Sequence, residues 1–205
     1  CYRQKKRQLN TALRKQYCSC VSQRRCAMIL WLSRTTVARK LRFLAAQDRI
    51  LAAELAKRHA VAQVIEFDEM ETFEHTRCKP VSIVLVVEAK TRRILGFEVA
   101  RMPASGKLAE RARRKYGPRS DERSAARHRL FERIKPMVSP TAEIKSDMNP
   151  HYPRVVQKHF PYAVHRAYKG RKPLAVGHGE LKQGGLAPIF SLNHTAAMFR
   201  ANVNR

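Results

Sequence analysis

Two aspartates stand out as candidates for catalysis or metal binding, because each lies towards the end of an apolar, strand-like stretch. Asp68 falls within Ile65–Phe73 and Asp147 within Glu143–Pro150. A carboxylate is costly to bury unless a positive partner compensates its charge. The chain has 42 Lys and Arg against 16 Asp and Glu, a formal net charge of +26. The aspartates therefore suggest a divalent metal and the basic remainder a polyanion, a combination that predicts phosphodiester chemistry.

Length and composition restrict the class of protein further. A chain of 205 residues is long enough for one sizeable core and a small additional domain. Hydrophobic residues make up 44% of it, which excludes a disordered basic tail. The basic excess favours nucleic acid or an anionic membrane surface as partner. No apolar run is long enough to predict a membrane-spanning helix.

The cysteines and the chain ends suggest an intracellular fragment. An odd cysteine count with irregular spacing favours reduced thiols. A zinc site completed by a missing N-terminal module is the alternative. The chain begins with Cys1 and stops at Arg205 inside a helical pattern, so we expect a piece of a longer protein, truncated at its C-terminus. The cysteines are Cys1, Cys18, Cys20, Cys26 and Cys78.

Residues 1–60 are basic and helical in pattern, and within them residues 22–44 predict two short helices joined by a tight turn. Ser22 and Ser33 are suitable N-caps for these helices. Such a pair makes a helix-turn-helix, whose second helix can enter the major groove of DNA. That helix would present basic and hydroxyl side chains outward, namely Arg34, Thr35, Thr36, Ala38, Arg39 and Arg42.

One residue departs from the usual helix-turn-helix pattern. The turn commonly contains glycine, whereas here Trp31 lies close to it. The alternative interpretation is an ordinary basic helical hairpin with a solvated face.

From residue 61 onward the residue pattern changes to runs of Val, Ile and Phe, which are typical of strands. Short connections between the first three strands predict an antiparallel meander. Strands are predicted at Val61–Phe73, Val81–Glu88, Ile94–Ala100, Thr141–Asp147 and Tyr162–Tyr168. Helices are predicted at about Glu122–Lys135, Asn149–Phe160 and Phe190–Arg205, with a glycine-rich loop at 169–188. Pro150 is expected at the first helical position of the second of these helices.

This order of elements resembles the ribonuclease H-like fold. Together with the basic helices, the chain resembles a DDE-type bacterial insertion-sequence transposase over nearly its whole length. The recognition-helix pattern Ser-Arg-x-Thr-Val-x-Arg-x-Leu matches residues 33–41, and the first motif, Asp-Glu-Met, matches residues 68–70. The resemblance implies an α/β fold with a mixed sheet: an all-α DNA-binding region at 1–60 and a ribonuclease H-like catalytic domain at 61–205.

The same resemblance implies a Mg²⁺- or Mn²⁺-dependent polynucleotidyl transferase that holds two ions. Asp68 and Asp147 then correspond to the first two metal-binding catalytic residues, on neighbouring strands. The third corresponds to Asn193, seven residues before Arg200, in the groups of this family that carry asparagine where most relatives have glutamate. Seven residues are about two helical turns, so Arg200 shares a face with Asn193 and could hold a DNA phosphate.

Alternatives remain open for these residues. His194 could act as third ligand, although imidazole suits Mg²⁺ poorly. Glu180 is a rival, 33 residues after Asp147 but in the glycine-rich loop. Asp147 and Asn193 could instead be helix caps, and Asp68 a surface turn residue.

The resemblance also implies partners and location. These are terminal inverted repeats and target DNA, at least a homodimer in the DNA complex, no membrane, and the bacterial cytoplasm at the nucleoid. The alternatives are a domesticated or inactive transposase that binds DNA without cutting it, and a nuclease without strand transfer. A phosphate-binding surface is expected from Arg111, Arg113, Arg114, Lys115, Arg166, Lys169, Arg171 and Lys172.

Overall fold

A computed structural model describes residues 4–169 and 188–202, and these form a mixed α/β chain of seven helices and one five-stranded sheet. The described residues divide into two compact units, one made by 4–59 with 198–202 and the other by 60–169 with 188–197. The prediction of a mixed α/β architecture is confirmed. Within the described ranges, no helix is long and apolar enough to cross a bilayer.

The first unit contains three helices around a small apolar core. The core side chains come from all three helices and include Leu13, Cys26 and Val37. The helices are α1 (Leu9–Cys18), α2 (Gln23–Ile29) and α3 (Arg34–Ala56).

The two predicted N-caps are present in this unit. Ser22 accepts a hydrogen bond from Arg25 N and Ser33 accepts one from Thr36 N, which satisfies backbone donors that a helix start leaves unpaired. Trp31 lies in the turn between α2 and α3 with φ 52°. It therefore adopts the left-handed conformation that usually favours glycine, and its side chain is 89% exposed.

The second unit is built on the sheet, whose strand order is β3-β2-β1-β4-β5. The first three strands form an antiparallel meander, whereas β4 pairs parallel with β1 and β5 pairs parallel with β4. The strands are β1 (Ala62–Phe73), β2 (Pro80–Glu88), β3 (Ile94–Arg101), β4 (Val138–Asp147) and β5 (Val164–Tyr168).

Four helices accompany the sheet in chain order. Two of them differ from the sequence expectation: α4 was not predicted, and α6 begins two residues after Pro150, with Pro153 in its first turn. The helices are α4 (Ala109–Tyr116), α5 (Arg123–Ile134), α6 (Tyr152–His159) and α7 (Phe190–Asn202).

The main core lies between the sheet and helices α5 and α6. Phe67 of β1 is fully buried and contacts the rings of Phe131 and Tyr152, with centroid separations of 5.0 and 4.6 Å. Helix α5 approaches β3 closely at Gly96, where an added Cβ would lie 2.8 Å from a side-chain carbon of Leu130. A side chain at 96 would have to displace the ends of the Leu130 and Ile134 side chains, so glycine favours the close packing of α5 on β3.

Candidate active site

Alternate residues of β1 point to opposite faces of the sheet, and this separates its acidic side chains. Phe67 and Glu69 face α5 and α6, as their contacts with Phe131 and Arg127 show. Glu66 faces the other side, where it contacts the start of α7. Asp68 lies between the two glutamates.

Asp68 is half-buried and only one of its oxygens is engaged. Its Oδ1 accepts hydrogen bonds from Glu69 N at 2.6 Å and from Tyr152 Oη at 3.1 Å. Its Oδ2 accepts none from the described residues. The pKa of Asp68 is raised from 3.8 to about 6, first because the carboxyl group is buried and then because Asp147 is negatively charged. Among the described residues, no cation forms an ion pair with this carboxylate.

Asp147 is the last residue of β4, next to β1 in the sheet. The parallel register places Lys145 opposite Glu66, so both strands bring their aspartates to the same edge, two residues further on. Asp147 Oδ1 accepts from Asn149 N at 3.0 Å, which stabilises the turn that leads to α6. Its Oδ2, like that of Asp68, accepts no hydrogen bond from the part of the chain that the structure describes.

This donor set fits a hard divalent cation. Mg²⁺ and Mn²⁺ prefer carboxylate and carbonyl oxygens, and two half-buried aspartates with one open oxygen each offer them. A cation there would offset the repulsion between Asp68 and Asp147. No cluster of three His, Cys, Asp or Glu side chains suited to a metal occurs among the described residues.

Asn193 lies in the first turn of α7 and is half-buried. The start of α7 is fixed to β1 by Glu66, whose Oε2 accepts from Leu192 N at 2.8 Å. It is also fixed to the loop between β2 and β3, because Lys90 N donates to Ser191 Oγ at 2.9 Å. No hydrogen bond within the described ranges joins the Asn193 side chain to Asp68 or Asp147.

The structure places the alternative third ligands elsewhere or leaves them outside its range. The imidazole of His194 lies against the guanidinium of Arg92, with Nδ1 and Nη1 3.2 Å apart. Glu180 lies outside the described residues, as do Arg171 and Lys172. Arg200 is exposed on α7, seven residues after Asn193.

Two groups beside the aspartates were not anticipated from the sequence. Tyr152 is 1% exposed and donates its hydroxyl to Asp68. Arg127 forms a buried ion pair with Glu69, whose other oxygen accepts from Ser82 Oγ at 2.8 Å. The charge of Glu69 is thus compensated by Arg127, whereas no cation among the described residues forms an ion pair with Asp68.

A concave surface, which we call the α5–α6 groove, begins at Asp147 and runs between these two helices. It consists of two adjoining cavities of about 770 and 580 Å³ that share four lining residues. The first cavity includes Asp147 and Glu69, and the second extends along α6. The groove is defined by Ser124, Arg127, Pro150, His151, Arg154 and Lys158.

The predicted DNA-binding residues of the first unit lie on α3. Arg34, Thr35, Arg39 and Arg42 are exposed there. Thr36 is half-buried, and its hydroxyl lies 2.9 Å from Ser33 Oγ at the helix start. The exposed members are accessible to a polyanion, whereas Thr36 mainly supports the cap.

The predicted phosphate-binding residues of the second unit are mostly exposed. The four on α4 are exposed, and Lys169 lines the first cavity of the α5–α6 groove. Arg166 is exposed but paired with Glu143 at 3.0 Å. The α4 residues are Arg111, Arg113, Arg114 and Lys115.

Compared with known proteins, the chain matches no protein-family model and no curated protein.

Proposed function

We propose that the chain is a DNA transposase of the DDE type, with asparagine as the third residue. It binds the ends of a mobile element, hydrolyses a phosphodiester bond there, and joins the freed 3′-hydroxyl to target DNA. One observation supports this most: Asp68 and Asp147 lie at the same edge of the sheet on parallel neighbouring strands, and each has one carboxylate oxygen that accepts no hydrogen bond from the described residues.

The sheet order supports the ribonuclease H-like part of this proposal. An antiparallel meander, β1 to β3, is followed by two strands parallel to β1, with helices between them. The first and fourth strands are neighbours in this order, as the ribonuclease H-like resemblance requires.

The helices of the first unit support a helix-turn-helix. Helices α2 and α3 are both capped by serine and are joined by a short turn at Trp31. Their shared core leaves Arg34, Arg39 and Arg42 exposed on α3 for contacts with phosphates and base edges.

In the proposed reaction, Asp68, Asp147 and the amide oxygen of Asn193 would hold Mg²⁺ or Mn²⁺. The two ions, when bound, stabilise the attacking and leaving oxygens of the phosphodiester. Arg200 would contact a neighbouring DNA phosphate. The bacterial cytoplasm, terminal inverted repeats as ligand and a dimeric DNA complex belong to the same proposal.

A second candidate function is DNA binding without cleavage, as in a domesticated or inactive transposase. The observation that favours it is the neutral side chain at position 193, since an amide oxygen is a weaker metal ligand than a carboxylate. A carboxylate restored there, in Asn193→Asp or Asn193→Glu, would then be required for any cleavage.

The test is strand transfer with labelled terminal repeats, target DNA and Mg²⁺ or Mn²⁺. Asp68→Asn should lower product formation by about 10³-fold or more, because a metal ligand at the reacting phosphate is lost, while DNA binding is retained. The matched control is Glu71→Gln, an exposed carboxylate on the same strand. Equal activity of Asp68→Asn and the wild type would refute the site; binding without cleavage by the wild type would favour the second function.

A further inference from the structure

The α5–α6 groove has a charge distribution that the proposed catalytic pair does not explain. Near Asp147, its acidic and basic side chains neutralise each other. Arg127 is paired with Glu69, and Arg123 with Asp121 at 2.6 Å.

Farther along the groove, the cations have no such partners. Arg154 and Lys158 are exposed on α6, and neither side chain forms an ion pair or hydrogen bond within residues 4–169 and 188–202. Lys169, at the other end, has no ion-pair partner among the same residues.

The pKa of a histidine in the groove reflects the same positive charge. His128 lines the second cavity, and its pKa is lowered by burial first and then by the charges of Lys158, His159, Arg127 and Arg154. Glu132 contacts the neighbouring His159 at 3.2 Å but does not line either cavity. The groove between Arg127 and Lys158 is therefore cationic, with neutral imidazoles between its charges.

The width and spacing of the groove suit one strand of a polyanion. Helices α5 and α6 pack directly through His128 and His159, whose ring nitrogens lie 2.9 Å apart. Packed helices have axes about 8–10 Å apart, so the groove between them offers a line of contacts to one phosphate backbone. Arg154 and Lys158 are one helical turn apart, about 6 Å along the axis, which is comparable to the separation of successive phosphates on one strand.

We propose that the α5–α6 groove binds the phosphodiester backbone of one DNA strand, held by Arg154 and Lys158, and leads it to the Asp68–Asp147 pair. The direction of the strand towards the aspartates rests on the proposed function; the binding of the strand by the groove does not. Arg127 lines both cavities at the point where they meet, and its ion pair with Glu69 holds its side chain in place.

The experiment measures binding of the full 205-residue chain to a short fluorescein-labelled single-stranded DNA by anisotropy, at several salt concentrations. A single strand is used because a helix-turn-helix reads the major groove of a duplex. The variant is Arg154→Gln with Lys158→Gln. The control is Arg129→Gln with Gln157→Glu, two exposed positions on the same helices that do not line the groove. Each pair lowers the formal charge by two.

For the groove variant we expect about tenfold weaker binding at low salt, and a slope of log K against log [salt] that is shallower by about 1.4, from two lost phosphate contacts on a single strand. The control should keep the wild-type slope. Lys158→Arg should retain binding, since the charge is kept. Unfolding midpoints of all variants should match the wild type, because the four positions are exposed.

Two outcomes would overturn binding by the groove: equal losses in the groove variant and its control, or no loss in either. Unaltered cleavage by the groove variant at subsaturating DNA would overturn the direction of the strand towards the aspartates and leave the proposed transposase function intact. Conversely, a selective loss of single-strand binding supports the groove even if the wild type cleaves nothing, so the two proposals can fail separately.

Discussion

Glu66 and Glu69 lie three residues apart on β1 and point to opposite faces of the sheet, where their carboxylates are engaged differently. Glu69 is held by the guanidinium of Arg127 and the hydroxyl of Ser82. Glu66 has a hydrogen bond from the backbone at the start of α7, and burial raises its pKa despite that donor. Between them, Asp68 keeps one oxygen open. The comparison separates Glu69, whose charge an ion pair compensates, from Asp68, with which no cation among the described residues pairs.

The largest expected effect on stability comes from breaking the ion pair between Glu69 and Arg127. Arg127→Met removes one partner of a buried ion pair, with side-chain exposures of 7% and 10%, and should lower the free energy of unfolding by about 3–5 kcal/mol. Urea denaturation measures it. The double variant Glu69→Gln with Arg127→Met should lose less than the two single variants together, because no uncompensated buried charge remains.

The matched control for this prediction lies on the same helix. Arg133 pairs with Glu98, but the Arg133 side chain is 51% exposed. Arg133→Met should therefore cost about 1 kcal/mol or less. Comparable losses for Arg127→Met and Arg133→Met would show that burial does not distinguish the two ion pairs.

The next effect is the pH dependence of stability that arises from Asp68. Its pKa is raised from 3.8 to about 6, so between these pH values the folded chain holds a proton that the unfolded chain releases. Stability from this group is full below pH 3.8 and is lost as the pH rises through about 6. Asp68→Asn cannot titrate, so without metal it should gain up to about 3 kcal/mol relative to the wild type between pH 4 and 7.

Denaturant titrations with a chelator at several pH values check this prediction. Tyr152→Phe sharpens it, because loss of the hydroxyl donor should raise the pKa of Asp68 further and move the midpoint to higher pH. Glu71→Gln controls for the general loss of one negative charge on β1. Parallel stability curves for the wild type and Asp68→Asn would contradict the electrostatic account of the site.

The smallest effect on stability is expected from removal of the Glu66 carboxylate. Glu66→Ala leaves Leu192 N without its buried acceptor and should cost about 1–3 kcal/mol. Glu66→Gln should retain most of the stability, since an amide oxygen can accept the same hydrogen bond.

If Asn193 acts with the aspartates, Glu66→Ala should also lower strand-transfer kcat more than DNA affinity, because the first turn of α7 loses its anchor. A change in DNA affinity alone would argue against that positioning role.

The elements themselves were largely predictable, because local pattern determines them. Runs of Val, Ile and Phe marked all five strands to within about three residues, and Ser22 and Ser33 marked two helix starts. Helix α4 was missed because its arginine-rich sequence, with only Ala112 buried, has no apolar stripe. The start of α6 was placed too early because Pro150 is compatible with a first turn but lies in the preceding turn instead.

The candidate site was predictable only in part. The alternation of side chains along a strand is enough to place Glu66 and Glu69 on opposite faces of β1, and their contacts agree with it. The partners of these acids could not be derived, because they lie far away in sequence: Leu192 is 126 residues from Glu66 and Arg127 is 58 from Glu69. For Tyr152, the sequence pattern indicates only the buried side of a helix. It does not indicate that the Tyr152 hydroxyl reaches Asp68.

By itself, the sequence determined the basic charge, the two-part organisation expected for the chain and the two strand-end aspartates, since composition and local periodicity are properties of neighbouring residues. Only the tertiary structure decided which carboxylates are compensated, because the parallel pairing of β1 with β4 and the packing of α5, α6 and α7 bring distant donors to some acids and not to others. Asp68 and Asp147 lie at the same edge of the sheet for that reason, each with one oxygen that accepts no hydrogen bond from the described residues.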